Sequence, residues 1–171
     1  MDENPSLAVA GRPAVTWTAL RSARPDLADS GRELLYAFGV GLAFLATVRR
    51  DGGPRVHPMC PLIHKGLYAF LIPSPKRDDL ARDGRYSMHS FPLEDNEDAF
   101  YLTGIARPVA DDDLRAALVA RFIADRHTPS MTPAELDGQQ LFELRIATCM
   151  LTRTSGHGDP SPTHTVWHAP G

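Results

Sequence analysis

The sequence predicts a mainly β fold: an antiparallel barrel of six or seven strands with flanking helices. Two observations carry this. Short strand-like apolar runs recur along the chain. They are joined mostly by tight turns rich in Gly, Pro and Asp, with few helical crossovers, which argues against a doubly wound parallel sheet. The length of 171 residues suits one domain.

The elements follow in order. Residues 1–16, with Pro5, Gly11 and Pro13 among small residues, read as a flexible arm, and 17–171 as a single domain. Residues 17–38 carry a helical pattern, clearest from Pro25 to Phe38, where Leu27, Leu34, Leu35 and Phe38 share helix spacing and Gly39 suits the stop. Leu42 to Arg49 is a first strand, turned by Asp51-Gly52-Gly53. Arg55 to Ile63 is a second. Pro54, Pro58 and Pro61 bar it from a central ladder and imply an edge, a bulge or a groove. Lys65-Gly66 turns into a third strand, Leu67 to Ile72.

Ser74 then suits a helix cap, Pro75 the first helical position and Gly84 the exit of a helix of about two turns. Tyr86 to Phe91 is a fourth strand. The acidic loop Glu94 to Asp98 leads to a fifth, Phe100 to Val109. Asp111 to Arg126 is the clearest helix, with acids in its first turn and an apolar stripe of Leu114, Leu118, Val119 and Phe122. Thr132 to Leu136 has a capping-box pattern. Leu141 to Thr152 is a long sixth strand, and Thr165 to His168 a candidate seventh after the turn-rich 155–162 segment.

Composition narrows the function. The net charge of -3 gives no basic stripe for nucleic acid. The longest apolar stretch, Val40 to Val48, falls far short of the roughly 20 residues of a membrane span. The acidic start has no export-signal pattern, so a cytoplasmic protein with Cys60 and Cys149 as free thiols is expected. Of the 18 cations only Lys65 and Lys76 are lysines. The richness in Arg, Ala, Gly and Pro suggests a GC-rich bacterial genome, which leaves the two lysines worth separate attention.

Lys76 is the more informative one. Cations at a helix N-terminus oppose the helix dipole, and an anion there removes the conflict. Free N–H groups, the Ser74 hydroxyl and the Lys76 ammonium together make a phosphate site, unless Lys76 and Arg77 simply face water. The strand Arg55-Val56-His57-Pro58-Met59 has backbone groups freed by its prolines, which suit the polar edge of a flat heterocycle. The plainer reading is an edge strand protected by prolines from aggregation. Arg55 is a second candidate cation. His57, Cys60 and His64 contain ligand types, but Pro58 and Pro61 constrain the chain between them and no second cluster completes a zinc pattern, so no metal is assigned. His157, His164 and His168 read as surface residues of a loose tail. There is no G-x-S-x-G elbow, and no Gly-rich nucleotide fingerprint.

The order of the segments Leu45-Ala46-Thr47-Val48, Asp51 to Pro58, Gly66 to Phe70, Ser74 to Leu80, Phe100 to Arg107, and Leu141 to Leu144 leading to Trp167 resembles the pyridoxamine 5'-phosphate oxidase-like family over about residues 30–168. The resemblance implies a split β-barrel and a homodimer, with FMN, or in some branches a deazaflavin or haem, in the interface groove. It implies that Lys76 and Ser74 bind the flavin phosphate with Arg55, and that Val56, His57, Pro58 and Met59 line the ring with backbone groups. His89 and Ser90 would lie near the ribityl chain or ring, and Trp167 would approach from the partner chain. The longer Arg- and Trp-rich C-terminal segment of true pyridoxamine phosphate oxidases is missing, so an oxidoreductase on another small molecule is expected. A deazaflavin-dependent reductase, or a non-enzymatic haem- or flavin-binding module with His57, His64 or His89 as axial ligand, are the alternatives. No catalytic base is assigned.

Overall fold

The computed structural model describes residues 13–126 and 131–171. Most of the predicted arm, residues 1–12, lies outside the described residues; at its end, Val15 exchanges backbone hydrogen bonds of 2.9 and 2.8 Å with Ile146. Thr16 then caps α1 (Trp17–Ala23), its hydroxyl accepting the Ala19 N–H. The helical pattern of 17–38 divides at Pro25, which opens α2 (Pro25–Leu35). The apolar face of α2, with Leu27, Leu34 and Leu35, is buried. Gly31 lets the Phe100 ring pack against this helix, since a Cβ there would meet the ring at 2.5 Å.

Eight strands form one antiparallel sheet: β1 (Ala43–Val48), β2 (Pro54–Met59), β3 (Leu62–Ile63), β4 (Leu67–Leu71), β5 (Arg85–Ser90), β6 (Ala99–Pro108), β7 (Gln140–Arg153) and β8 (Thr163–His168). The order is β2-β1-β5-β6-β7-β4-β3, with β8 also on β7. The predicted second strand is two strands, because Cys60-Pro61 breaks the ladder between β2 and β3. The long β7 explains the split of the barrel. Its start, Gln140 to Glu143, pairs with β4, and its end, Thr148 to Arg153, pairs with β8 on the same edge.

The register of β6 and β7 slips between Thr103 and Gly104. A Cβ at Gly104 would lie 1.8 Å from the Arg145 carbonyl oxygen, so the bulge that bends both strands requires glycine.

Between β4 and β5 runs α3 (Pro75–Arg82), and α4 (Asp112–Arg126) follows β6 with Asp111 accepting the Leu114 N–H. A short 3-10 helix, Pro133–Leu136, opens where the Thr132 N–H donates to Glu135 at 2.6 Å. Two apolar clusters result. The main one lies inside the curled sheet under α1 and α2, and includes Leu20, Leu45, Met88, Phe100 and Phe142. The second lies under α4 and includes Tyr68, Phe70, Leu118 and Phe122. Each such side chain fully buried contributes about 1.5–3 kcal/mol, so the closure of the sheet and the docking of the helices are one event. The C-terminal segment is no loose tail. It is the regular strand β8, with His168 and His164 bonded through Nδ1 to the Thr148 and Thr152 hydroxyls.

Candidate cofactor groove

The site begins with β2 at the end of the sheet. Lys76 Nζ donates to the Pro58 carbonyl oxygen at 3.1 Å, so the Pro58 carbonyl lies on the edge away from β1. Backbone groups alternate sides along an antiparallel strand. Pro54, Val56 and Pro58 therefore turn their backbone groups outward, while Arg55, His57 and Met59 pair with β1. Two of the three outward residues are prolines without N–H groups. The free edge offers three carbonyls and a single donor, at Val56, and cannot template another strand.

Lys76 comes from α3. Its helix start is set by Pro75 and by the Ser74 carbonyl, which accepts the Asp78 N–H. The Ser74 hydroxyl does not cap the helix as the sequence suggests: it donates back to the Ile72 carbonyl at 2.9 Å, and the helix N-terminus keeps its N–H groups uncapped by a side chain. Lys76, Pro58 and Met59 meet in a cavity of about 390 Å³, bounded also by Cys60, Ile72 and Phe122. Cys60 Sγ lies 2.9 Å from an Arg126 nitrogen on its wall.

Three residues further along the helix, Asp79 is buried. Its Oδ2 accepts from Arg55 Nε at 2.7 Å and from the Thr47 hydroxyl at 3.0 Å, and its Oδ1 from Arg82 at 3.2 Å. Burial pushes the Asp79 pKa up, but the bonds from Arg55, Thr47 and Arg82 outweigh it and hold the carboxyl below its ordinary value. Removing one partner of a buried pair costs about 3–5 kcal/mol, at the lower end here because Arg55 is partly exposed. The sequence reading treats Arg55 as a cation facing the ligand and misses Asp79. The Lys76–Asp79 spacing puts both on one helix face, but that spacing alone does not mark Asp79, whose partners on β1 and β2 need the fold.

The remaining predicted residues divide. Cross-strand neighbours place Pro58, Phe44, His89, Tyr101, Met150 and Val166 in one row over the outer face of the sheet. His89 is exposed there, about 10 Å from Pro58 across β1. Its Nδ1 lies 2.7 Å from the Ser90 carbonyl oxygen, which assigns the proton to Nδ1 and leaves Nε2 as an acceptor. Ser90 points the other way. It is fully buried, and its hydroxyl accepts the Phe100 N–H. Trp167, opposite Cys149, packs on the core of its own chain. Val56 is exposed, and His57 and His64 are also exposed. The outer face holds a second cavity, of about 400 Å³, between Val48, Pro54, Arg85, Ser87, Thr103 and Ile105. It contains none of the predicted site residues. Among the described residues no three metal-ligating side chains converge, and no helix is long and apolar enough to cross a membrane.

No protein-family model and no curated protein matches the sequence. Solved structures share its fold. A haem-binding protein of Mycobacterium smegmatis is 18% identical over 80% of this chain, with a TM-score of 0.55, and the chain spans only 57% of that protein. HutZ, the haem storage protein of Vibrio cholerae, is 17% identical over 70% of this chain and 89% of its own, at 0.58. A Clostridium acetobutylicum protein related to general stress protein 26, of the pyridoxine phosphate oxidase family, is 11% identical over 88% and 95%, at 0.56. The fold is therefore the pyridoxamine 5'-phosphate oxidase-like split barrel, one shared by phosphate-oxidase-family and haem-binding proteins. At these identities the likeness establishes the fold.

Proposed function

We propose that this chain binds FMN in the groove between β2 and α3 and serves as an oxidoreductase on a small molecule. The observation that carries the reading is the placement of Lys76: a half-buried ammonium at the start of α3, on the free edge of a proline-interrupted strand, beside a cavity. The group fits the residues present. Lys76 and the uncapped N–H groups of α3 suit a phosphate, with Arg55 as a second cation. The single donor at Val56 between the carbonyls of Pro54 and Pro58 suits the mixed donors and acceptors of a flavin edge. A bound flavin supplies hydride chemistry. The chain orients it, and Met59, Ile72 and Phe122 exclude water from one side of the cavity. A deazaflavin with a phosphate would use the same groups.

The reading includes a homodimer. Apart from His89, the outer row over the sheet is apolar or aromatic; Val166 in it and Val56 beside it on β2 are about half exposed, and Phe44 stacks on Phe91 at 4.3 Å beside the exposed Phe38. A second copy covering this face would close the groove from outside.

A haem reading has its own observation. His89 offers Nε2 outward with Nδ1–H fixed on a backbone carbonyl, the arrangement that orients a metal-ligating imidazole, and two of the fold neighbours are named for haem. Native mass spectrometry of the purified protein separates the readings. FMN mass and flavin absorbance support the first, and a Soret band lost in His89→Ala replaces it with the second.

A further inference from the structure

The geometry points to Asp79 as the positioning residue that aims Arg55 at the phosphate, and so sets the preference for a phosphorylated over an unphosphorylated ligand. This rests on the groove binding a phosphate-bearing flavin. Asp79 holds Arg55 through Nε alone, and the two terminal nitrogens of Arg55 take no partner among the described residues. The guanidinium is a planar fork whose useful donors depend on its orientation. Fixing Nε removes rotamer freedom before a ligand arrives, which lowers the ordering cost of binding. The charge count also matters. A neutral Arg55–Asp79 pair would offer an anion little, but Arg82 binds the other carboxylate oxygen. The buried carboxylate is thus overcompensated, and the trio carries one net positive charge, with Arg55 itself reaching the surface beside Arg49 and Arg50. Asp79 and Lys76 lie on the same face of α3, and their partners Arg55 and Pro58 lie along β2 in the matching antiparallel order.

Two measurements test this. In the first, FMN and riboflavin are titrated into the apo forms of wild type, Asp79→Asn and Arg55→Ala. Asparagine keeps the shape but not the charge, and its single oxygen can serve either Arg55 with Thr47 or Arg82, so the hold on Arg55 loses its charge assistance. The expected result is that Asp79→Asn weakens FMN about tenfold, the scale of one lost charge-assisted contact, because the loss of Arg55's aim outweighs the positive charge that neutralising Asp79 adds, with riboflavin within about twofold of wild type. Arg55→Ala should do the same, and the double variant should be no worse than either. Equal loss of both ligands would show that Asp79 acts only through stability, and no change would show that it does not position Arg55; either overturns the proposal. A wild type that binds both flavins equally would instead overturn the phosphate reading of the groove. The second measurement needs no ligand. The Arg55 Nε–H proton, assigned in NMR spectra through Arg55→Lys, should exchange slowly in the apo protein and fast in Asp79→Asn. Fast exchange in wild type would overturn the proposal even if no flavin bound.

Discussion

At the scale of single residues, charge placement is the informative quantity. Lys76 could be singled out from sequence because lysine is rare here and a cation is misplaced at a helix start. Asp79 could not, because its meaning comes from Thr47 and Arg55 on two other elements. Its pKa makes a prediction about stability. A carboxyl whose folded pKa lies below its unfolded value stabilises the fold fully above that unfolded value, about 3.9, and loses the contribution as pH falls through the folded value. Asp83 beside Arg85, and Asp98 beside Arg153 and Thr154, are shifted in the same direction. Thermal melts should therefore fall in Tm below about pH 4, and the gap between wild type and Asp79→Asn should narrow from about pH 6 to about pH 2. A gap independent of pH would contradict the assignment. The two thiols give a second test. Burial pushes the Cys149 thiol up to about 12 and the residue is fully enclosed, whereas Cys60 is partly open. Iodoacetamide should label Cys60 alone in the native protein and both after denaturation; two fast-reacting native thiols would contradict the packing of β7 against the core.

At the scale of elements, the regular strands and α4 were legible because alternation and an apolar stripe report burial directly. Three features were not. The break at Cys60-Pro61 hides inside an otherwise continuous apolar run. The strand β8 was expected at Thr165–His168, but its start at Thr163 and its pairing with the end of β7 were not legible, since only Trp167 packs inward on the core. The hydroxyl of Ser74 bonds backward to Ile72, a local choice that no residue preference reveals. The bulge at Gly104 is the element with the sharpest requirement. Gly104→Ala places a methyl against the Arg145 carbonyl, and overpacking of this kind costs about 2 kcal/mol or more. Chemical denaturation should show that loss with an unchanged m-value. A neutral substitution would mean that β6 and β7 tolerate a different register.

At the scale of the whole molecule, the long β7 carries β4 at its start and β8 at its end within one sheet, and the outer face of that sheet is the surface the proposed dimer would use. The succession of short strands and tight turns could predict a barrel but not which face stays apolar, because Phe44, Tyr101, Met150 and Val166 come from four strands that only the register aligns. Val166→Glu should convert a dimer into a monomer in sedimentation without unfolding it, since Val166 is exposed in the single chain; a wild type that is monomeric at all concentrations would remove the dimer from the account. The central claim is that this fold presents a phosphate-reading groove centred on Lys76. Its most direct test is fluorescence titration of FMN into apo wild type and Lys76→Ala. Wild type should bind saturably, and Lys76→Ala should bind about tenfold or more weaker. Equal affinity in the two proteins, or no binding by wild type, would contradict it.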